Sequence, residues 1–459
     1  MSTGGNSSFQ NNKTKPWGAL LLIAIPPAIF YYLLLKSQTS IPFSDDYGSV
    51  LDFMLKLKHA NLLGKFVLIL TAQHMEYRLA FQNAIFALQY GLLGHSDVRS
   101  LSLLGNLFVL PICGVLYLLW RASPNSRITT LVGFVPVSWL LFQLQYASAL
   151  NCAMSALQNL AVVLFALLSI YLGSRPTSAA FGASCLSLVL AVASSGNGLF
   201  LIPVGAVMLL QRHEFKRFAV WVLVGSFLCI GYFYGYDYNS RQSSNHGIFN
   251  SLTHISPIWA SSFLGSIATI RNVVPAVALG VALVILFFWA TRDRLFDRNP
   301  AVYYAMLFFL LTAIMVSGIR SDLGLVNSLQ SHYRITSTMM IVLAYIYISE
   351  KLSVRMPTST VGFYLLMTAL LAFTLLSDRA GYKLLLLRRT KLEESMYRWE
   401  QHLPRPTLEN VNLNDEIEMN MAAHESKGVY DPIEPTLSDS ISAGIYRLPQ
   451  AEINQGAPK

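Results

Sequence analysis

Apolar stretches long enough to cross a bilayer recur along nearly all of residues 17–377, and no other feature limits the fold as severely. A lipid-spanning helix needs about 20 mostly apolar residues, because the hydrocarbon layer is roughly 30 Å thick and each helical residue adds about 1.5 Å. Eleven such segments are read at roughly 17–36, 101–120, 128–144, 156–173, 178–194, 199–211, 218–236, 273–291, 301–318, 336–350 and 358–377. The 459 residues are 54% hydrophobic and 12% charged. That is about half the charge of a soluble domain and more apolar surface than one aqueous core absorbs. The sequence therefore predicts an all-α integral membrane protein. Residues 1–16 read as a polar N-terminus carrying Lys13 and Lys15. The first span shows no small-residue cleavage site and reads as a retained signal anchor.

The net charge of +9 does not point to nucleic acid, because Lys and Arg gather in short connections between spans. With a cytoplasmic N-terminus, the inside connections carry Arg121 and Arg127; Arg175; Arg212, Lys216 and Arg217; Arg292, Arg294 and Arg298; Lys351 and Arg355. Every one is short and basic, a regularity that one missed or invented span would break. This gives an N-in, C-out expectation. Cys113, Cys152, Cys185 and Cys229 lack the paired spacings of metal sites or disulfide frameworks and read as packing residues.

That orientation sends the long connections outward: 37–100, 237–272 and 319–335, with the segment 378–459 after the last span. Two helix-patterned stretches in the first loop, Gly48–Leu57 and Met75–Leu93, read as helices lying along the interface. The final segment begins with Arg379, Lys383, Arg388, Arg389 and Lys391 around a Leu-rich stretch. It reads as an interfacial helix followed by a polar, mostly irregular end.

The chemistry-bearing residues concentrate in these outward loops. Ser44-Asp45-Asp46-Tyr47 follows the first span, and two adjacent carboxylates beside a membrane must be solvated, paired or put to use. Either Asp46 or Ser49 caps a helix, or one carboxylate is a general base or metal ligand oriented by the other. His74-x-Glu76-x-Arg78 puts all three side chains on one side of an extended segment, but on a helix only His74 and Arg78 share a face. The alternative is a solvated surface with a local Glu76–Arg78 pair. Arg320-Ser-Asp322 and His332-Tyr333-Arg334 supply cations suited to a phosphate, since guanidinium offers bidentate, permanently charged hydrogen bonds; interfacial snorkelling is the plainer account. Arg241, His246 and Arg271 are second-rank additions. Ser194–Gly198 reads as a tight turn whose glycines permit positive φ, with Asn197 able to bond a sugar. Gln143, Gln145, Asn151, Gln158 and Asn159 form a polar stripe assigned to interhelical bonding. Tyr232, Phe233, Tyr234, Tyr236 and Tyr238 read as an interfacial belt, though aromatic faces also stack on sugars.

An acidic pair in the first external loop, interfacial helices after span one, about eleven spans and basic residues in late external loops resemble the GT-C superfamily of polytopic glycosyltransferases. The resemblance is architectural and covers most of residues 1–377. It implies transfer of a sugar from a polyprenyl-phosphate carrier to a cell-envelope glycan, lipid or protein acceptor, read as an inverting reaction at the outer face of a bacterial inner membrane. It also implies that Asp45 or Asp46 deprotonates the acceptor and that late-loop arginines hold the carrier phosphate. A divalent cation (Mg or Mn) on Asp45 or Asp46 is the one cofactor left open, and the sequence does not require it. Arg320, His332, Arg334 and Arg78 are the candidate phosphate ligands; His74, Glu76, Tyr47 and Asn197 are the candidate substrate contacts. The competing readings are a polymerase or ligase of lipid-linked glycans and a flippase or transporter. The latter predicts charges deep within the spans or broken helices in symmetrical repeats, and the sequence has neither.

Overall fold

The computed structural model describes residues 17–123, 131–237, 254–269, 272–355, 360–402 and 433–456. Arg127, Tyr238, Arg241, His246 and Arg271 lie outside them. The described chain is almost wholly helical; its one sheet is a two-stranded hairpin. The helices begin with α1 (Trp17–Ser37), α2 (Phe53–His59), α3 (Leu62–Thr71), then β1 (Gln73–His74) and β2 (Tyr77–Arg78), and α4 (Ala80–Leu93). Next come α5 (Val98–Leu107), α6 (Val109–Arg121), α7 (Leu131–Leu141), α8 (Ala147–Asn151), α9 (Ala153–Gly173), α10 (Ser178–Ser194), α11 (Leu201–Gln211) and α12 (Phe215–Phe233). The remainder are α13 (Pro257–Leu264), α14 (Val274–Arg292), α15 (Leu295–Arg298), α16 (Pro300–Arg320), α17 (Arg334–Arg355), α18 (Thr360–Glu400), α19 (Ile433–Ser442) and α20 (Gln450–Ile453).

Helix occupies each of the eleven segments expected to cross. Six stretches are long and apolar enough to cross a membrane by length and composition: Trp17–Ser37, Val98–Arg121, Ala153–Gly173, Phe215–Phe233, Val274–Arg292 and Pro300–Leu323. Their burial separates two roles. The apolar stretch of α9 is 78% buried within the protein, so α9 is the central post; that of α12 is 17% buried. Leu223, Phe227 and Ile230 on α12, like Ile285 and Phe288 on α14, face outward. Apolar helices exposed in this way need lipid around them. The protein is therefore membrane-embedded.

The basic connections share one end of the bundle. Arg212 reaches the Ser174 carbonyl at 2.6 Å and Arg217 the Arg175 carbonyl at 3.0 Å. Gln211 bonds Asp297 at 3.3 Å, Arg298 lies 3.4 Å from Glu350, and Ser123 donates to Glu350 at 3.0 Å. Lys351 pairs with Asp293. At the opposite end a second hydrophobic cluster unites the first loop with the chain terminus: Phe43, Tyr47, Val50 and Phe86 pack with Leu392, Met396, Leu437, Ile445 and Tyr446.

This second layer departs from the sequence reading in three ways. The stretch expected to be helical from Met75 is the hairpin up to Arg78, with helix only from Ala80. Met75 turns the hairpin with φ +49°, a backbone state that interrupts helical periodicity. A third helix, α3, buries none of its residues, and Leu62, Leu63 and Phe66 are exposed. The described part of the final segment is also more regular than the tail expected, with helices α19 and α20 in residues 433–456. At 41 residues α18 is roughly 60 Å long, about twice the hydrocarbon thickness. Its C-terminal half is anchored by Arg388 to the Ala147 carbonyl at 3.0 Å and by Arg389 to the Lys36 carbonyl at 2.9 Å. Residues 433–456 then fold back over the first loop: Glu452 accepts from Thr39 Oγ1 (2.6 Å) and Ser40 N (2.9 Å), and Tyr446 donates to the Ser40 carbonyl (3.0 Å).

Close backbone approach fixes α13 against α14. A Cβ on Gly280 would be driven into the Ser261 backbone, and one on Gly265 into that of Ala276. Gly280→Ala is expected to wedge the pair apart at a cost of about 1–3 kcal/mol, read as a lowered apparent unfolding temperature in detergent; an unchanged temperature would contradict this packing.

Candidate active site

The acidic pair divides into two different environments. Asp46 is fully buried and carries its carboxylate across to the start of α9. There Oδ1 accepts from Met154 N at 3.0 Å and from Cys152 Sγ at 3.4 Å, while Oδ2 accepts from Phe43 N at 3.2 Å. Neither Asp46 nor Ser49 caps the helical turn that follows: Asp46 makes no such bond, and Ser49 Oγ donates back to the Asp45 carbonyl at 2.6 Å. Asp46 instead serves the N-terminus of a helix more than 100 residues away, where unpaired N–H groups and the helix dipole favour a carboxylate. Burial nevertheless dominates and pushes its carboxyl up to about 7, against the opposing pull of the Met154 and Phe43 N–H groups.

With its neighbour pinned, Asp45 points into a cavity of about 390 Å³. The preceding Ser44 has φ +52°, left-handed backbone that disfavours a non-glycine residue by about 1–2 kcal/mol and recurs at functional sites. The Asp45 side chain is 37% exposed, with His74 Nε2 3.6 Å from Oδ1. Burial would raise its carboxyl, but His74, with further contributions from His332 and then Arg320, outweighs that and holds it below its ordinary value. Asp45 is therefore ionised at neutral pH.

The same cavity draws residues from distant parts of the chain. Arg320 and His332 line it from the 319–335 connection, Asn197 from the turn after α10, and Gln158 and Asn159 from α9. Glu76 holds Arg320 in an ion pair, with the Tyr77 hydroxyl accepting from Nη2 at 3.0 Å. Burial, then the Arg320 charge, drive His332 down to about 3 against the attraction of Asp45, so the ring is neutral. Among the described residues, the ionised groups lining the cavity are Asp45 and Arg320.

Other expected contacts lie elsewhere. Arg78 clamps the carbonyls of Gly231 (3.0 Å) and Tyr234 (2.6 Å) below the hairpin, with its guanidinium over Tyr236. Arg334 faces the Leu329 carbonyl at 3.5 Å and does not line the cavity, and Tyr47 is buried in the second hydrophobic cluster. His74 and Glu76 act on the site through Asp45 and Arg320 respectively. The aromatic belt supports the hairpin too, since Tyr236 donates to the Glu76 carbonyl at 2.9 Å. Among the residues of the 194–198 turn, Gly198 does not use positive φ; its missing Cβ makes room for the Ala191 carbonyl.

Sequence reasoning missed Asn327 and Gln330, and it assigned Gln158 and Asn159 to helix packing. Gln158 does bond Ser195 at 3.2 Å and Asn159 the Ser155 carbonyl at 2.9 Å, yet both also face the cavity. Tyr77, Phe263 and Tyr333 supply aromatic surface there. Among the described residues, no three His, Cys, Asp or Glu side chains converge on one point. Because both Asp46 oxygens already accept protein donors, the adjacent pair does not form a two-carboxylate clamp. A divalent ion at this site would have Asp45 as its carboxylate ligand.

Comparison of the chain with protein-family models, curated proteins and solved structures gives no match.

Proposed function

We propose that this protein is a membrane glycosyltransferase that moves a sugar from a polyprenyl-phosphate carrier to an acceptor hydroxyl, with Asp45 as the general base. One observation carries the reading: an ionised carboxylate and a charged guanidinium share a single cavity beside a lipid-facing helical bundle. A lipid-phosphate donor presents its cleavable bond where membrane meets water, and the cavity lies in the layer formed by the connections at one end of the bundle. Asp45 takes the acceptor O–H proton as that oxygen bonds the anomeric carbon. The bond from this carbon to the phosphate oxygen breaks, and its electron pair leaves with the carrier phosphate. Arg320 stabilises the departing charge, and attack opposite the leaving group inverts the anomeric centre. The reading includes eleven crossings with the N-terminus inside and the C-terminus outside, and it puts the cavity on the outer face of a bacterial inner membrane. The basic connections gathered at the other end support that orientation.

The test is sugar transfer by the purified full-length chain in lipid nanodiscs, supplied with radiolabelled polyprenyl-phosphate sugars and an envelope acceptor extract. Arg320→Gln is expected to lower kcat by about 10²-fold or more, the scale of losing one preorganised donor to developing charge. No turnover of any carrier-linked donor, or equal rates for wild type and variant, would remove the proposal.

A further inference from the structure

We infer that the ligand of this cavity is a single uncharged sugar, recognised through its hydroxyl hydrogens by Asn197 and Asn327; this rests on the proposed glycosyl transfer and narrows its donor. The volume of about 390 Å³ sits near the lower end for small-molecule sites. It has room for one sugar ring and its phosphate, the size of the reacting end of a carrier bearing one sugar.

Charge narrows the class further. Among the described residues, Arg320 and Asp45 are the ionised groups lining the cavity, and the proposed reaction uses both, one on the leaving phosphate and one as base. His332 is neutral and adds no cation. A uronic acid would bring a second anion to one guanidinium that already faces Glu76, and an unpaired buried carboxylate is strongly disfavoured. An amino sugar would compete for Asp45 and occupy the base.

The polar lining indicates what the ligand must offer. Asn197 Oδ1 and Asn327 Oδ1 are buried with no hydrogen-bond donor among the described residues, and both residues line the cavity. They approach from separate elements, the turn after α10 and the 319–335 connection. A buried acceptor without a donor costs about 1–3 kcal/mol, and sugar hydroxyls supply donors where a phosphate or carboxylate has none. The neighbouring amides differ, since Gln158 and Asn159 donate to Ser195 and Ser155. Tyr77, Phe263 and Tyr333 add the apolar surface on which a sugar ring's C–H face rests.

Saturation-transfer NMR on the full chain in nanodiscs, with methyl hexosides, methyl pentosides and the methyl glycoside of glucuronic acid as soluble probes, tests this without the carrier. Neutral glycosides should bind at least about tenfold more tightly than the glucuronide, and Asn197→Ala with Asn327→Ala should abolish their signal. Comparable or tighter glucuronide binding, or no neutral glycoside signal with wild type, overturns the inference without relying on any variant folding. Neutral binding that survives the double substitution overturns the assignment of the two asparagines. A parallel transfer assay with polyprenyl-phosphate hexose separates the two claims. If the glycosides bind but the carrier-linked hexose is never turned over, the sugar site stands and the transferase reading falls.

Discussion

Asp45→Asn is expected to reduce sugar transfer by roughly 10²–10⁴-fold, the range contributed by a positioned general base, while leaving the apparent unfolding temperature close to wild type. The stability expectation follows from geometry. Asp45 faces a cavity, and its contact with His74 is 3.6 Å long, so an isosteric amide removes little that holds the fold together. The pH profile supplies an independent check. Because the Asp45 carboxyl lies below its ordinary value, the carboxylate is already present well below neutrality. The acid limb of kcat/KM assigned to Asp45 should therefore fall below about 4, the ordinary carboxylate range. His332, with its pKa near 3, should add no inflection between pH 5 and 8. So weak a base is chemically adequate if proton transfer occurs late. An acceptor hydroxyl becomes strongly acidic once it bonds a carbon with oxocarbenium character. A full-activity Asp45→Asn protein, or an acid limb near pH 6–7, would transfer the role to another group.

How much of this was legible in the sequence depended on how local the information was. Helix positions were readable because hydrophobic runs and basic connections are properties of adjacent residues; each of the eleven segments contains helix. The acidic pair, Arg320, His332 and Asn197 were also visible, as charges or amides in unusual places. Which carboxylate faces the cavity was not. That depends on the left-handed turn at Ser44 and on the N–H of Met154, 108 residues from Asp46. Arg78 and Glu76 carried the same ambiguity. Each has the chemistry of a ligand contact, but Arg78 is spent on the carbonyls of Gly231 and Tyr234, and Glu76 on Arg320. No periodicity announces Asn327 as part of the site, since it sits in a connection that only the tertiary fold brings opposite Asn197. The closing strap of residues 433–456 was concealed by its polar composition. Its grip on the first loop comes from a few well-placed groups, Glu452 and Tyr446 chief among them.

Asp46→Ala should have the opposite signature from Asp45→Asn, with loss of stability first and loss of activity as its consequence. Removing the carboxylate leaves Phe43 N and Met154 N buried without their acceptor. At about 1–3 kcal/mol per orphaned donor, the destabilisation is roughly 2–6 kcal/mol. The Ser44–Asp45 segment then loses its attachment to α9, so transfer declines even where the protein still inserts. The pH dependence distinguishes this role from a catalytic one. The folded Asp46 carboxyl titrates at about 7, above the ordinary unfolded value near 4. Between those values the folded state binds the extra proton at Asp46, and the Asp46 contribution to stability falls as pH rises. The contribution of Asp46 is thus fully present below about pH 4 and diminishes until pH passes about 7, where the curve flattens. The unfolding-temperature gap between wild type and Asp46→Ala should accordingly be widest in acid and narrow towards pH 8. A constant gap from pH 4 to 8 would mean that Asp46 is not protonated in the fold, whereas a gap widening with pH would reverse the sign of its contribution. If instead the variant unfolds like wild type but is inactive, Asp46 belongs to the chemistry and the division of labour between the two carboxylates must be redrawn.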